Sequence, residues 1–98
     1  MEEALEVRLL LETRAESLAC ERRPDDAIDE VKLLLDQTYE LMDRPKLYIH
    51  KNSEYHFKIY SYSYSPLLLE IINRLWARVG PYFIIYALKK EDLINAEK

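Results

Sequence analysis

Four prolines divide this chain at positions 24, 45, 66 and 81, and each one limits where a helix can run. Proline cannot donate a backbone hydrogen bond, and its ring disfavours helical geometry in the residue before it. It therefore suits the first turn of a helix or the segment that follows one. The single glycine, Gly80, stands directly before the last proline. These positions predict three main helices and separate segments after Pro45 and Pro81.

The first two predicted helices lie in the amino-terminal part of the chain. Residues 2 to about 22 contain neither proline nor glycine, and apolar residues recur there at helical spacing: Ala4, Val7, Leu11, Ala15 and Leu18. A second helix is expected behind Pro24, because Asp25 and Asp26 suit the positive end of a helix dipole. It should end near Arg44, the residue before the next proline. The short connection predicts that the two helices pair antiparallel.

Charge and aromatic residues are distributed unevenly about Pro45. Residues 1–45 carry 6 basic and 13 acidic side chains, a balance of −7, whereas residues 46–98 carry 8 and 5, a balance of +3. Ten of the eleven aromatic residues follow Pro45. We therefore expect one domain over residues 1–98, made of an acidic helical hairpin (1–44) and a tyrosine-rich portion (45–98).

Alternating residues in the tyrosine-rich portion predict two strands, 46–50 and 54–63, joined by a three-residue loop. Ser65 and Pro66 suit the start of a helix, and Gly80 followed by Pro81 suits its end. Residues 82–88 are apolar without interruption and predict a third strand, followed by a short helical tail. The predicted fold class is α+β, in the order α-α-β-β-α-β: the helical hairpin precedes a β-β-α-β unit with a three-stranded mixed sheet.

One face of the predicted β-hairpin displays tyrosine, histidine and lysine. Single-stranded bases stack on exposed aromatic rings while cationic side chains meet phosphates, so this face is a candidate binding surface for RNA or DNA. Its residues are Tyr48, His50, His56, Lys58, Tyr60 and Tyr62. The acidic chain carries no signature of a known RNA-binding module, which weighs against nucleic acid.

A metal or acid–base site is a further alternative, because His50, Glu54 and His56 would lie near one another on that face. The set is smaller than a zinc site normally requires, and a solvated sheet face explains the same residues. The sequence contains no nucleophile–base motif and no glycine-rich phosphate loop. We therefore assign no catalytic residue, no metal ligand and no cofactor, and the sequence favours a non-enzymatic protein.

The third predicted strand would lie at a sheet edge, although it is apolar on both faces. Such an edge is an aggregation hazard unless it is covered. Pairing with a second copy would cover it, so we expect a homodimer whose interface includes Tyr82, Ile84, Tyr86 and Leu88. The acidic helices could instead cover the edge. The predicted function is a small interaction protein that acts by binding an unidentified protein partner.

Location is predicted from what the sequence lacks. Cys20 is the only cysteine, so no intramolecular disulfide can form, and the first residues are acidic where a signal peptide would be basic. No apolar run approaches the length of a membrane span. We expect a reducing, cytoplasmic location and no membrane partner. Abundant charge with few thermolabile residues is typical of thermophilic proteins.

Overall fold

The computed structural model describes the backbone of residues 2–97 and the side chains of residues 3–81, 85 and 88–90. Four α-helices make up this backbone: α1 (Glu2–Arg22), α2 (Ala27–Tyr39), α3 (Pro45–Ser61) and α4 (Pro66–Glu97). Residues 2–97 contain no strand. The α+β prediction is therefore wrong, and the fold of this part of the chain is all-helical.

Prolines begin two of the four helices. Pro45 opens α3 and Pro66 opens α4, as expected of a residue whose fixed φ suits the first helical turn. Arg44 has φ −124° and ψ 79°, outside the helical region, because the ring of the next residue excludes that geometry. The predicted bounds of α1 and the predicted start of α4 are confirmed. The second helix ends at Tyr39, five residues before the predicted end.

The helices pack around a core shared by α1, α3 and α4. These three contact one another, whereas α2 packs on α3. The centre of the core is formed by Ala15, Tyr60 and Ile72, and Phe57 meets Trp76 edge-on with ring centroids 5.7 Å apart. Within the described residues α1 and α2 do not pack directly on each other, so the predicted pairing of the acidic helices is wrong.

The segment predicted as a β-hairpin forms α3. Its apolar and aromatic residues occupy both odd and even positions, so they fit a helical period as well as alternation. Ser53, His56, Phe57 and Tyr60 follow the i, i+3, i+4, i+7 spacing of one helix face. Strand propensity spans only about 1 kcal/mol and depends on packing. Burial of this face against α1 and α4 therefore decides the conformation.

The predicted third strand is part of α4, which continues through Gly80 and Pro81. Gly80 does not have a positive φ, so it is not the left-handed residue that ends a helix. The argument for a dimer interface at a sheet edge therefore fails. Of that proposed interface, Leu88 is 43% exposed, whereas the side chains of Tyr82, Ile84 and Tyr86 lie outside the described residues.

None of the helices, as far as the structure describes them, combines the length and apolar character that a membrane crossing requires.

Candidate functional site

A cavity of about 480 Å³ lies between α3 and α4. Five α3 residues and two α4 residues line it: Lys46, Leu47, Ile49, His50, Ser53, Trp76 and Gly80. The volume falls within the usual range for small-molecule sites. An apolar wall with a few polar groups is also typical of such sites, since the polar groups orient the ligand.

Gly80 helps to create this space. The space around this position is open, because a Cβ atom on residue 80 would meet no atom within 4 Å. Glycine weakens a helix interior by roughly 0.5–1 kcal/mol relative to alanine. Helix α4 therefore has a destabilising glycine at a position that lines the cavity.

Trp76 connects the cavity with a buried charge on α1. Its Nε1 donates a hydrogen bond to Glu12 Oε1 at 2.7 Å. The other carboxylate oxygen of Glu12 accepts a hydrogen bond from Arg8 Nε at 3.0 Å, and the Arg8 guanidinium carbon lies 4.2 Å from the centre of the Trp76 ring. Glu12 is only 6% exposed, so these donors replace the water that its charge has lost. We call Arg8, Glu12 and Trp76 the Arg8–Glu12–Trp76 cluster.

His56 lies beside this cluster on the inner side of α3. Its ring contacts Tyr55 and Tyr60, with centroid distances of 5.1 and 6.2 Å. Nδ1 is buried and makes no hydrogen bond among the described residues. Burial lowers the pKa of His56 from its ordinary value of 6.5, although the carboxylates of Glu12 and Glu16 act in the opposite direction.

Tyr60 is almost completely buried, at the centre of the core. Burial raises the pKa of its hydroxyl well above the usual range, and the negative charge of Glu12 acts in the same direction. Tyr60 therefore stays neutral at physiological pH. It serves the core rather than an open binding surface.

Lys58 and Tyr62 face α2 instead. Lys58 Nζ lies 3.3 Å from Glu30 Oε2, and the Tyr62 hydroxyl donates a hydrogen bond to the same oxygen. The hydrogen bond from Tyr62 and the charge of Lys58 lower the pKa of the Glu30 carboxyl. These contacts connect α2 to α3.

The six residues of the predicted binding surface thus point in several directions around one helix. His50 is exposed and lines the α3/α4 cavity, Tyr48 lines a separate hollow with Met42 and Pro45, and the other four meet α1 or α2. Successive residues of a helix are rotated by about 100°, so residues that alternate along a strand do not share a helix face.

The suggested metal or acid–base group is not assembled either. Glu54 is exposed and forms an ion pair with Lys51 at 2.9 Å, while the two histidines lie in different environments. In the part of the chain that the structure describes, no three His, Cys, Asp or Glu side chains are placed to hold a metal ion.

Sequence reasoning missed the Arg8–Glu12–Trp76 cluster. Two signals were present: Arg8 and Glu12 stand one helical turn apart beside the apolar stripe of α1, and Trp76 is the only tryptophan. Glu12 and Trp76 stand 64 positions apart in the sequence, so no local pattern reveals their contact.

Comparison with known proteins identifies this all-helical chain. The family model described as the FCD domain matches residues 3–96. The chain belongs to the FCD domain family. This family has an all-helical fold, in agreement with the four helices.

A relative of this FCD domain is the HTH-type transcriptional regulator McbR of Escherichia coli (strain K12), which is 28% identical over 97 residues. The match covers 95% of this chain and 44% of the relative, so the chain spans less than half the length of that regulator. No solved structure gives a significant match.

These findings overturn the function predicted from sequence. The tyrosine-rich sheet face that was to bind single-stranded nucleic acid does not exist in residues 2–97, and the His50–Glu54–His56 site is not formed. The general prediction of a small interaction protein is wrong as well, because an FCD domain is related to a transcriptional regulator.

Proposed function

We propose that this FCD domain is the effector-sensing module of an HTH-type transcriptional regulator, with the effector bound in the α3/α4 cavity. Family membership and the relationship to McbR support the regulatory role. The observation that carries the site is the position of Trp76, which lines the cavity and whose Nε1 donates a hydrogen bond to Glu12 of α1.

A ligand in this cavity would affect α1 through Trp76. Contact with the indole ring would favour one orientation of the ring, and therefore strengthen or weaken the hydrogen bond to Glu12. Glu12 also binds Arg8, so the change would reach the next turn of α1. A ligand that prefers one of two such arrangements shifts the population toward it, which is the physical basis of regulation at a distance.

DNA contact would fall to another unit of the regulator. Binding to duplex DNA requires several cationic groups that neutralise phosphates. This domain has a net charge of −4, and its first 45 residues carry a balance of −7. The acidic surface supports a role in sensing, and the nucleic-acid partner would be bound by a helix-turn-helix unit. A cytoplasmic site of action follows from the same proposal.

Self-association is also part of the proposal. Helix-turn-helix regulators bind two DNA half-sites as dimers, so their other domains commonly assist pairing. On α1, Leu9 and Leu10 are 62% and 72% exposed. These apolar side chains favour α1 as a contact between two copies.

Trp76 fluorescence tests the effector site directly, since it is the chain's only tryptophan. The 98-residue chain would be titrated with separate panels of organic acids, amino acids, sugars and nucleosides, with thermal unfolding as a second measurement. We expect at least one compound that changes the fluorescence and raises Tm, as any ligand of the folded state must.

Two leucine substitutions on α4 provide the matched control. Gly80→Leu places a side chain in the cavity, whereas Ala77→Leu places the same side chain at an exposed position. The compound should bind the Ala77→Leu variant and fail to bind Gly80→Leu. Equal binding to both variants would exclude the α3/α4 cavity as the effector site. Salt-sensitive binding of this chain alone to duplex DNA would contradict a purely sensing role.

A further inference from the structure

An exposed stripe of α4 combines apolar and cationic side chains at the spacing of a helix–helix contact. Leu67, Ile71, Arg74 and Arg78 follow one another at intervals of four, three and four residues, so they lie on one side of the helix. All four are exposed, Leu67 to 66% and Ile71 to 38%. A solvated helix face carries mainly polar side chains, so this α4 stripe is a helix face without a partner.

Helix α1 lies beside the α4 stripe and runs in the opposite direction. Its first two turns share a hollow with α4, which is lined by Glu3, Ala4, Val7, Leu75 and Arg78. Its last residue, Arg22, donates a hydrogen bond to the carbonyl of Ser63, just before α4 begins. Residues of α1 therefore lie beside residues of α4 taken in reverse order, and the exposed Leu10 comes at the height of Ile71.

The exposed charges of the two helices are opposite in sign at the same end of the molecule. Glu3 and Glu6 lie in the first turns of α1, beside the part of α4 that contains Arg74 and Arg78. Among the described residues Glu3, Glu6 and Arg78 form no ion pair, and Arg74 pairs only with the exposed Glu70. We call the α4 stripe, together with Glu3, Glu6 and Leu10 of α1, the outer α1/α4 face.

We propose that two copies of this chain pair through the outer α1/α4 face, with α1 of one copy packed against α4 of the other. This inference rests on the self-association in the proposed function, and it identifies both sides of the contact. The four helices form an antiparallel bundle that covers the exposed leucines of both copies. Each contact occurs twice, because a twofold interface is self-complementary.

Charge selects this arrangement over the alternative. A twofold axis parallel to the helices places α1 opposite α4 and keeps every residue at its own height along the bundle. Arg78 shares a hollow with Glu3 in one copy, so it also comes to the height of Glu3 in the second copy. An axis across the helices would place α4 opposite α4, and the arginines of both copies would share one contact. Like charges across an interface oppose association.

An exchange of charge between two variants tests the pairing in the 98-residue chain. One variant carries Glu3→Lys with Glu6→Lys, and the other carries Arg74→Glu with Arg78→Glu. Each variant alone would place like charges at both contacts, so the dissociation constant of its homodimer should rise by about tenfold or more. An equimolar mixture restores opposite charges at both contacts, so native mass spectrometry should show a heterodimer of the two variants.

Asp29→Lys with Asp36→Lys is the matched control. It makes the same change of charge as the α1 variant, at exposed positions of α2. This control should dimerise as tightly as the original chain, and all variants should keep the original helical circular dichroism.

The outcomes separate this inference from the function on which it rests. If the mixture stays monomeric, or if each charge variant keeps the original homodimer, α1 does not pair with α4 and self-association uses another surface. A monomeric original chain would overturn both statements. If a charge variant does not fold, Leu67→Gln decides, because it removes only an exposed apolar side chain. It should weaken the dimer about tenfold through lost burial, and an unchanged dissociation constant would overturn the pairing.

Discussion

Glu12 is a buried carboxylate whose two oxygens accept hydrogen bonds from Arg8 and Trp76. Breaking such a buried pair leaves a charge and a donor without compensation, which costs about 3–5 kcal/mol. We therefore expect Glu12→Ala to lower the free energy of unfolding by about 3 kcal/mol in urea denaturation. Glu70→Ala is the control, because Glu70 pairs with Arg74 on an exposed helix face, where a pair contributes about 0.5 kcal/mol. Equal losses in both variants would contradict the structural role of the Arg8–Glu12–Trp76 cluster.

His56 makes stability depend on pH. Burial lowers its folded-state pKa below the ordinary value of 6.5, so the unfolded chain takes up the proton first as the pH falls. The contribution of His56 to stability should therefore decrease below about pH 6.5, and level off once the folded state is protonated too. The groups that face it are Glu12, Glu16 and Arg8.

The measurement is urea unfolding between pH 8 and pH 5.5. His56→Gln should flatten the pH dependence, whereas His50→Gln, at the exposed histidine, should leave it close to that of the original chain. If the His56→Gln variant keeps the full pH dependence of stability, groups other than His56 cause that dependence.

Tyr64 is the one non-glycine residue with positive φ, at 53°, in the described backbone. The loop that holds it is fixed on one side by Ser63, which is buried and whose carbonyl accepts a hydrogen bond from Arg22 Nη1 at 2.7 Å. Left-handed geometry costs a residue with a side chain roughly 1–2 kcal/mol. Glycine adopts this geometry without the steric cost, but it loses more conformational entropy on folding. Tyr64→Gly should therefore raise the free energy of unfolding by about 0.5–1 kcal/mol. Ser61→Gly, at the last residue of α3, should lower it, because the Ser61 hydroxyl donates a hydrogen bond to the Lys58 carbonyl. A loss in both variants would argue against strain at Tyr64.

At the scale of helices, α4 contains both a glycine and a proline in its interior. Pro81 cannot donate a hydrogen bond to the carbonyl of Ala77, and Gly80 adds flexibility just before it. Because a Cβ at Gly80 meets nothing within 4 Å, alanine fits there. Gly80→Ala should stabilise the protein by about 0.5–1 kcal/mol in thermal or urea unfolding. Ala77→Gly is the reciprocal change in the same helix and should destabilise the protein by a similar amount. If Gly80→Ala is destabilising instead, α4 is bent or broken at this point.

Helix starts were predicted better than helix ends or helix contacts. Pro66 with Ser65 located the start of α4, and the absence of proline and glycine over residues 2–22 located α1. The sequence predicts a strand after Pro45, although this proline opens α3. Gly80 and Pro81 predict a helix end, because both residues destabilise a helix interior. A long helix with apolar residues on both sides of the interruption overrides a penalty of about 3 kcal/mol.

At the scale of the whole molecule, α1 is apolar on two sides. Leu11, Ala15 and Leu18 face the core, while Leu9 and Leu10 are exposed. If two copies pair through α1, light scattering should give a dimer mass for the original chain and a monomer mass for Leu9→Glu with Leu10→Glu, with helical circular dichroism unchanged. Leu33→Glu changes an exposed leucine on α2 and should leave the dimer intact. A monomeric original chain would remove self-association from the proposed function.

The candidate site shows the limit of reasoning from local patterns. Three of its wall residues, Lys46, His50 and Ser53, stand one helical turn apart, but only if residues 45–61 are a helix. The sequence interpretation placed His50 on a sheet face with His56. The structure separates the two histidines and brings Trp76 to Glu12.

The sequence by itself determined where the chain must bend: prolines set the starts of α3 and α4, and a long uninterrupted amphipathic stretch set α1. It also determined the net negative charge, which is unfavourable for contact with DNA phosphates. Only the tertiary structure decided that residues 46–61 and 82–88 are helical. Their aromatic and apolar side chains satisfy both backbone periods, and local propensities differ by about 1 kcal/mol. For residues 46–61, the larger free energy of burying Phe57 and Tyr60 against α1 and α4 favours the helix.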